Sequence, residues 1–290
     1  MPAFTAKDVM NLKDRTGAGM MECKKAMADA DGDVEKAIGL LRERGVAKGA
    51  APKSTEMKEG LVAGRISADG KFGVLIRVGC QTDFVARNEI FLKLLSDLLN
   101  LVYDHDVKTP ADVHALKYPD GSGRTVDAVI KELIGGSIKE NLAVTGVARF
   151  RSDTGRVEKY VHHNAKVGAL IQIDGSTDDV VKVLGGEIAM HLAAGIPQPA
   201  VAINRDQVAK DIIDRERATA GEGLEGKPEA IKEKIITGKL DKYLAEIVLL
   251  EQPFVKEEKK RIRDLVAEAG KTAKAELKIA HILRLKVGEA

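Results

Sequence analysis

Two stretches of this chain, KFGVLIRV (residues 71–78) and KVGALIQI (166–173), match at almost every position. A repeated apolar segment constrains a fold strongly, because each copy needs its own partners to bury against. The surroundings repeat as well. LVAGRIS, Asp69-Gly70 and KFGVLIRV spell strand, tight turn and strand. A helix follows in EIFLKLLSDLLNLV, with Phe91, Leu94, Leu95, Leu98 and Val102 on one stripe. In the second copy VTGVARF (144–150), KYVHH (159–163) and KVGALIQI read as three strands, and DDVVKVLGGEIAMHLAA as the helix after them. The pattern predicts an internal duplication: two small antiparallel sheets, each backed by helices. The copies differ where GCQTDFVARN precedes the first helix and only GSTDD precedes the second. Extra loop length on a repeated scaffold is where function tends to be added.

Helical segments flank this core. Residues 1–46 read as three short helices, the first capped by Thr5 with Asp8 at the capping-box position. The third carries Val34, Ala37, Ile38 and Leu41 on one face and stops at Gly45. Residues 47–59, rich in Ala, Gly and Lys, read as a linker. Core subdomains are expected over 60–143 and 144–203. Asn204 then opens an αα-hairpin over 204–250, expected to project, whose seam would run through Ile231, Ile235, Leu240, Leu244 and Val248. A final helix, EEKKRIRDLVAEAG, and an apolar strand over 251–290 complete the core. The fold class is α+β.

Composition removes several kinds of function. Across 290 residues, 46 Lys and Arg nearly balance 44 Asp and Glu, so the net charge of +2 gives no warrant for direct nucleic-acid binding. No apolar run reaches membrane-span length, and Lys7 and Asp8 interrupt any signal-peptide core. Only Cys23 and Cys80 are present, which excludes a disulfide framework and suits a reducing cytoplasm. The motif search is equally sparing. Asp29–Asp33 (DADGD) has its glycine too early for a calcium loop, with Leu40 where the twelfth-position Glu belongs. No phosphate loop is present. His162 and His163, read as adjacent strand residues, would face opposite ways and make a poor metal pair. Cys80 has no assignable base. No catalytic set emerges, and neither cofactor nor metal is expected. Thr82–Val85 (TDFV) remains. Phe84 is one of six Phe and four Tyr in a chain without Trp. Pattern alone favours Phe84 tucked into its own core over an exposed anchor for a partner's pocket.

TGAGMMECKKA (16–26), GDVEKAIGLLR, CQTDFVARN (80–88), IAMHLAA (188–194) and EQPFVK (251–256) together closely resemble the bacterial elongation factor Ts family, over nearly the whole chain. The resemblance implies a guanine-nucleotide exchange factor for elongation factor Tu, which it would bind in its GDP-bound and nucleotide-free states. It implies a three-helix ubiquitin-associated-like domain, a core of two repeated subdomains and a protruding helical hairpin. It also implies site residues. Asp83 and Phe84, within Thr82–Val85, would intrude beside the partner's magnesium site, and Met20, Met21, Lys24 and Lys25 would dock on a helix of its G domain. Ile138 and Lys139 stand where the family usually has Ile-Gly, so Lys139 is a departure. The strand histidine matches best at His162, in Tyr-x-His, with His163 a one-residue extension. Well-known members continue past VGEG with a helical module, whereas this sequence reads VGEA, so that contact is expected to be missing or replaced. Whether the hairpin pairs two copies into a homodimer stays open. The rival readings are a chaperone-like interaction factor without exchange activity, and an enzyme using Cys80 or His162.

Overall fold

The computed structural model describes residues 4–16, 18–41 and 57–289. The described chain is α+β. Gly17 in the first turn, the expected helix end at Gly45 and most of the linker lie outside the described residues.

Helix α1 (Ala6–Thr16) starts at the box its sequence spells. The Thr5 N–H and hydroxyl donate to Asp8 at 2.8 and 2.7 Å, and the Asp8 N–H donates back to Thr5 Oγ1 at 3.4 Å. Helix α2 (Met20–Asp29) ends where the DADGD segment turns. Asp31 (φ 50°) and Gly32 (φ 85°) adopt the left-handed region there, and the Gly32 N–H reaches back to the Met27 carbonyl at 2.9 Å. Helix α3 (34–41) follows, its first turn capped by Asp33. Val9, Leu12, Cys23, Ala26, Met27, Ala37 and Ile38 form one buried cluster among these helices.

Strands β1 (Glu59–Ile66) and β2 (Phe72–Cys80) are joined by residues 67–71, a connection only an antiparallel pair permits. Gly70 is required in that turn twice over. Its φ is 69°, and a Cβ there would lie 2.6 Å from the Arg156 guanidinium. Helices α4 (Asp83–Ala86), α5 (Glu89–Asp104), α6 (Pro110–Ala115) and α7 (Val126–Gly135) precede β3 (Leu142–Arg151), which takes its place beside β2. The α5 stripe is buried throughout, as its spacing predicts.

The second sheet follows the same plan. Strands β4 (Arg156–Val161) and β5 (Val167–Asp174) pair antiparallel. Helices α8 (Asp179–Ala194), α9 (Lys210–Gly221), α10 (Glu229–Ile247) and α11 (Ile262–Ala273) intervene before β8 (Lys278–Lys286), which pairs with the far side of β5. The repeated segments are therefore the two central strands, β2 and β5, and centrality explains their nearly unbroken runs of buried residues, Arg77 and Gln172 included. Val181, Leu184, Ile188 and Leu192 on α8 join Ile171 and Ile173 of β5 in one core. Gly185 lets α8 approach β4, since a Cβ there would stand 2.7 Å from Glu158 Cγ.

Four expectations need correction. The sequence pattern groups β3 with β4 and β5, whereas β3 hydrogen-bonds to β2. Its half-buried alternation suits the edge of either sheet, so local pattern does not choose between them. Residues 257–261 (EEKKR) are not the start of the last helix but β7, paired with β6 (Pro253–Phe254). Helix α11 begins only at Ile262, where Asp264 accepts from the Arg261 N–H at 2.9 Å. Asn204 caps a short 3₁₀ turn over Arg205–Gln207 and not the long helix. On α10 the apolar seam is buried only near its C-terminal end, at Leu244 and Ile247, while Ile231 is exposed. Arg205 forks onto Glu251 at 2.6 and 2.8 Å and reaches Asp241 at 2.6 Å, tying the start of the hairpin to its end.

The chain divides into two compact units. One comprises residues 1–63, 76–147 and 287–290, and the other residues 64–75 and 148–286. No helix among the described residues is long and apolar enough to cross a membrane.

Candidate functional site

The loop that distinguishes the first copy folds as a capped turn. Thr82, in extended conformation, is the N-cap of α4, and its Oγ1 accepts from the Val85 N–H at 3.4 Å. Asn88 caps α5 in the same way, accepting from the Ile90 N–H at 2.8 Å. Between the two caps, neighbouring residues diverge in environment. Val85 and Ala86 are buried, and Asp83 is half-buried and paired with Arg87 at 3.2 Å. Phe84 is 82% exposed. Pattern alone put this ring in the core, but a one-turn helix has only one inward side, and Val85 and Ala86 fill it. An aromatic ring held in water on a capped turn has the geometry of an interface anchor.

The turn is also held from a distance. Glu140, just before β3, accepts from the Thr82 N–H at 3.1 Å and from the Thr82 hydroxyl at 2.9 Å. Its neighbour Asn141 donates its N–H to Gln81 Oε1 at 3.1 Å. At the end of β2 the Cys80 thiol is fully buried and donates to the Thr82 carbonyl at 3.2 Å. Nothing in the local spacing of the sequence links position 82 to position 140, and this clasp escapes a sequence reading.

The same 137–141 turn carries Ile138, half-buried, and Lys139 at φ 61°. A left-handed backbone favours glycine, which gives a physical reason for the glycine that the resemblance leads one to expect at this place. Lys139 keeps that backbone. A methyl group added at Gly19 would stand 3.8 Å from its Nζ, so the lysine reaches the start of α2. Lys139→Gly is expected to change stability by less than about 1 kcal/mol, whereas Lys139→Val, with a β-branched side chain at positive φ, should cost about 1–2 kcal/mol. Denaturant melts of both variants provide the check.

On α2, Met20, Met21, Lys24 and Lys25 share one exposed face opposite buried Cys23, Ala26 and Met27. Met21 is 75% exposed. Soft apolar side chains flanked by cations suit a docking surface for an acidic or amphipathic helix.

His162 and His163 lie just past β4, in the turn to β5, and not within the strand. Strand alternation therefore does not apply, and their rings are 4.2 Å apart instead of on opposite faces. His162 is half-buried and its Nδ1 is bonded to the Tyr160 hydroxyl at 2.9 Å, while His163 is exposed. Among the described residues no group of three or more His, Cys, Asp or Glu is arranged to hold a metal ion. The α2 face, the capped turn and Ile138 belong to the first compact unit and His162 to the second.

A second set of residues missed from sequence lies inside the second unit. His191 on α8 is 1% exposed, and its Nδ1 accepts from the Val255 N–H at 3.3 Å. That places the proton on Nε2, which donates to Gln252 Oε1 at 3.0 Å. The Gln252 amide in turn donates to the carbonyls of Gln198 (2.8 Å) and Glu246 (2.6 Å). Two of the segments that carry the family resemblance, IAMHLAA and EQPFVK, thus meet through a buried polar network.

Comparison with known proteins agrees with these motifs. The family model described as elongation factor TS matches residues 81–289. Proteins named elongation factor Ts from Chlorobium limicola and Chloroherpeton thalassium are each 37% identical over 292 residues, covering all of both chains. The protein of that name from Aquifex aeolicus is 38% identical over 276 residues, 92% of this chain and 93% of its own. These likenesses place the chain among the translation elongation factors. It belongs to the elongation factor Ts family.

Proposed function

We propose that this chain promotes guanine-nucleotide exchange on elongation factor Tu, binding the GDP form, lowering its affinity for nucleotide, and departing when GTP enters. The observation that supports this best is the exposed Phe84 ring on the turn capped by Thr82, with the Asp83 carboxylate beside it. A carboxylate brought next to a phosphate–magnesium site disfavours the bound anion and competes for the ion. Coupling is reciprocal: whatever factor this protein takes from GDP affinity, GDP takes from its own. None of this needs bond chemistry, and the chain acts as a binding protein and not as an enzyme. The matching topology of the two sheets supports a duplicated core, and the separate cluster of the first three helices supports a small ubiquitin-associated-like docking module. The α9–α10 pair is the helical hairpin. Such a factor works in the cytoplasm.

Stopped-flow release of a fluorescent GDP analogue from elongation factor Tu, with and without this protein, tests the reading. Acceleration is expected. Binding without acceleration would favour the chaperone-like alternative. In the same assay His162→Ala is expected to slow release roughly two- to tenfold, the worth of one lost polar contact, with little effect from His163→Ala. Equal or reversed effects would assign the contact to His163.

A further inference from the structure

We infer that Glu140 is a positioning residue for exchange: its carboxylate clasps Thr82 and so fixes the direction in which Asp83 and Phe84 leave the surface. The inference rests on the exchange reading above and adds a residue to it. Thr82 turns both its N–H and its hydroxyl toward one carboxylate, at 3.1 and 2.9 Å. The same hydroxyl accepts from the Val85 N–H, so one side chain links the carboxylate to the helix turn bearing Phe84. The neighbouring pair, Asn141 N–H to Gln81 Oε1 at 3.1 Å, repeats the link one residue away on each side. The Cys80 thiol on the Thr82 carbonyl holds the third polar group of that residue.

Without such a clasp, α4 would have little to orient it. Four residues form a single turn, below the length at which a helix sustains itself. Its direction must be set by tertiary bonds, and those to Glu140 are charge-assisted, the stronger class. An anchor residue contributes only when it arrives already oriented, because ordering it on binding subtracts from affinity. Glu140 touches neither nucleotide nor the partner's magnesium in this scheme and acts through the turn.

Release of fluorescent GDP from elongation factor Tu, measured at saturating full-length protein, is the test. Glu140→Ala is expected to slow release about tenfold, on the scale of losing charge-assisted bonds, and by no more than Phe84→Ala does. Combined with Phe84→Ala, the same substitution should slow release by less than it does alone, since only the Asp83 carboxylate is left to orient. Additive slowing in the double variant, or an unchanged rate in Glu140→Ala, overturns the inference. Should Glu140→Ala fail to fold, the pair Thr82→Ser and Thr82→Val decides. Retention of the hydroxyl should preserve the rate and its removal should slow it, and identical rates overturn the inference. If Phe84→Ala itself leaves release unchanged, it is the exchange reading of this turn that fails.

Discussion

Phe84→Ala is expected to slow GDP release from elongation factor Tu by about one to two orders of magnitude while leaving the melting temperature unchanged. Burying a Phe side chain contributes about 1.5–3 kcal/mol, and each 1.4 kcal/mol is about tenfold in a coupling constant. At 82% exposure the ring contributes almost none of that to folding, so all of it is available to a partner. Exchange should fall without vanishing, because the α2 face and His162 are proposed to make contacts of their own. Asp83→Ala should also slow exchange, and its exposed pair with Arg87 is too weak to show in a melt. A melting curve and a release rate on the same Phe84→Ala protein check the claim. Truncation of a buried Phe would instead cost about 3–5 kcal/mol of stability. A lowered melting point with normal release by the folded fraction would sink the anchor.

What sequence pattern conveys here, and what it does not, divides along the range of the interaction involved. The central strands β2 and β5, the α5 stripe and the Thr5 box are local: each element's own period or spacing decides it, and each is found where the sequence places it. The misreadings lie where packing or pairing, at short range or long, overrides a segment's own pattern. EEKKR has helical composition, but pairing with Pro253–Phe254 draws it into a strand. β3 has an edge strand's alternation and two sheets it would suit. Phe84 is an apolar residue that hydrophobicity alone sends inward, yet Val85 and Ala86 already occupy that side of the turn. The clasp from Thr82 to Glu140 spans 58 positions and the bond from His191 to Gln252 spans 61. No periodicity encodes such pairs. Family resemblance does mark the segments that contain them, and it also points outward with Phe84 where composition points inward.

The buried network carries the largest stability forecast. Gln252→Leu keeps roughly the volume but leaves the His191 Nε2–H and the carbonyls of Gln198 and Glu246 without their partner. The buried His191 N–H left unpaired costs about 1–3 kcal/mol, and each lost bond to the carbonyls of exposed Gln198 and half-buried Glu246 adds about 0.5–1.5 kcal/mol, so a loss of about 3 kcal/mol is expected. For a chain of this size that is on the order of 6–12 °C in the melting temperature. A shift under a degree or two would show that water replaces the glutamine. The histidine adds a pH signature with a definite sign. Burial pushes the His191 pKa below its ordinary value, with the Gln252 bond opposing only in part. In the window between that lowered native value and the unfolded value of about 6.5, the unfolded chain holds the extra proton. Stability contributed by neutral His191 is therefore complete above that window and is lost as pH falls through it, by at most about 1.4 kcal/mol per pH unit. His191→Leu removes the titration while its packing cost stays fixed. The gap in unfolding free energy between wild type and His191→Leu should accordingly narrow as denaturant melts move from pH 7 to pH 5. A gap that stays constant would mean that His191 takes up its proton equally in both states, and that burial does not hold it neutral.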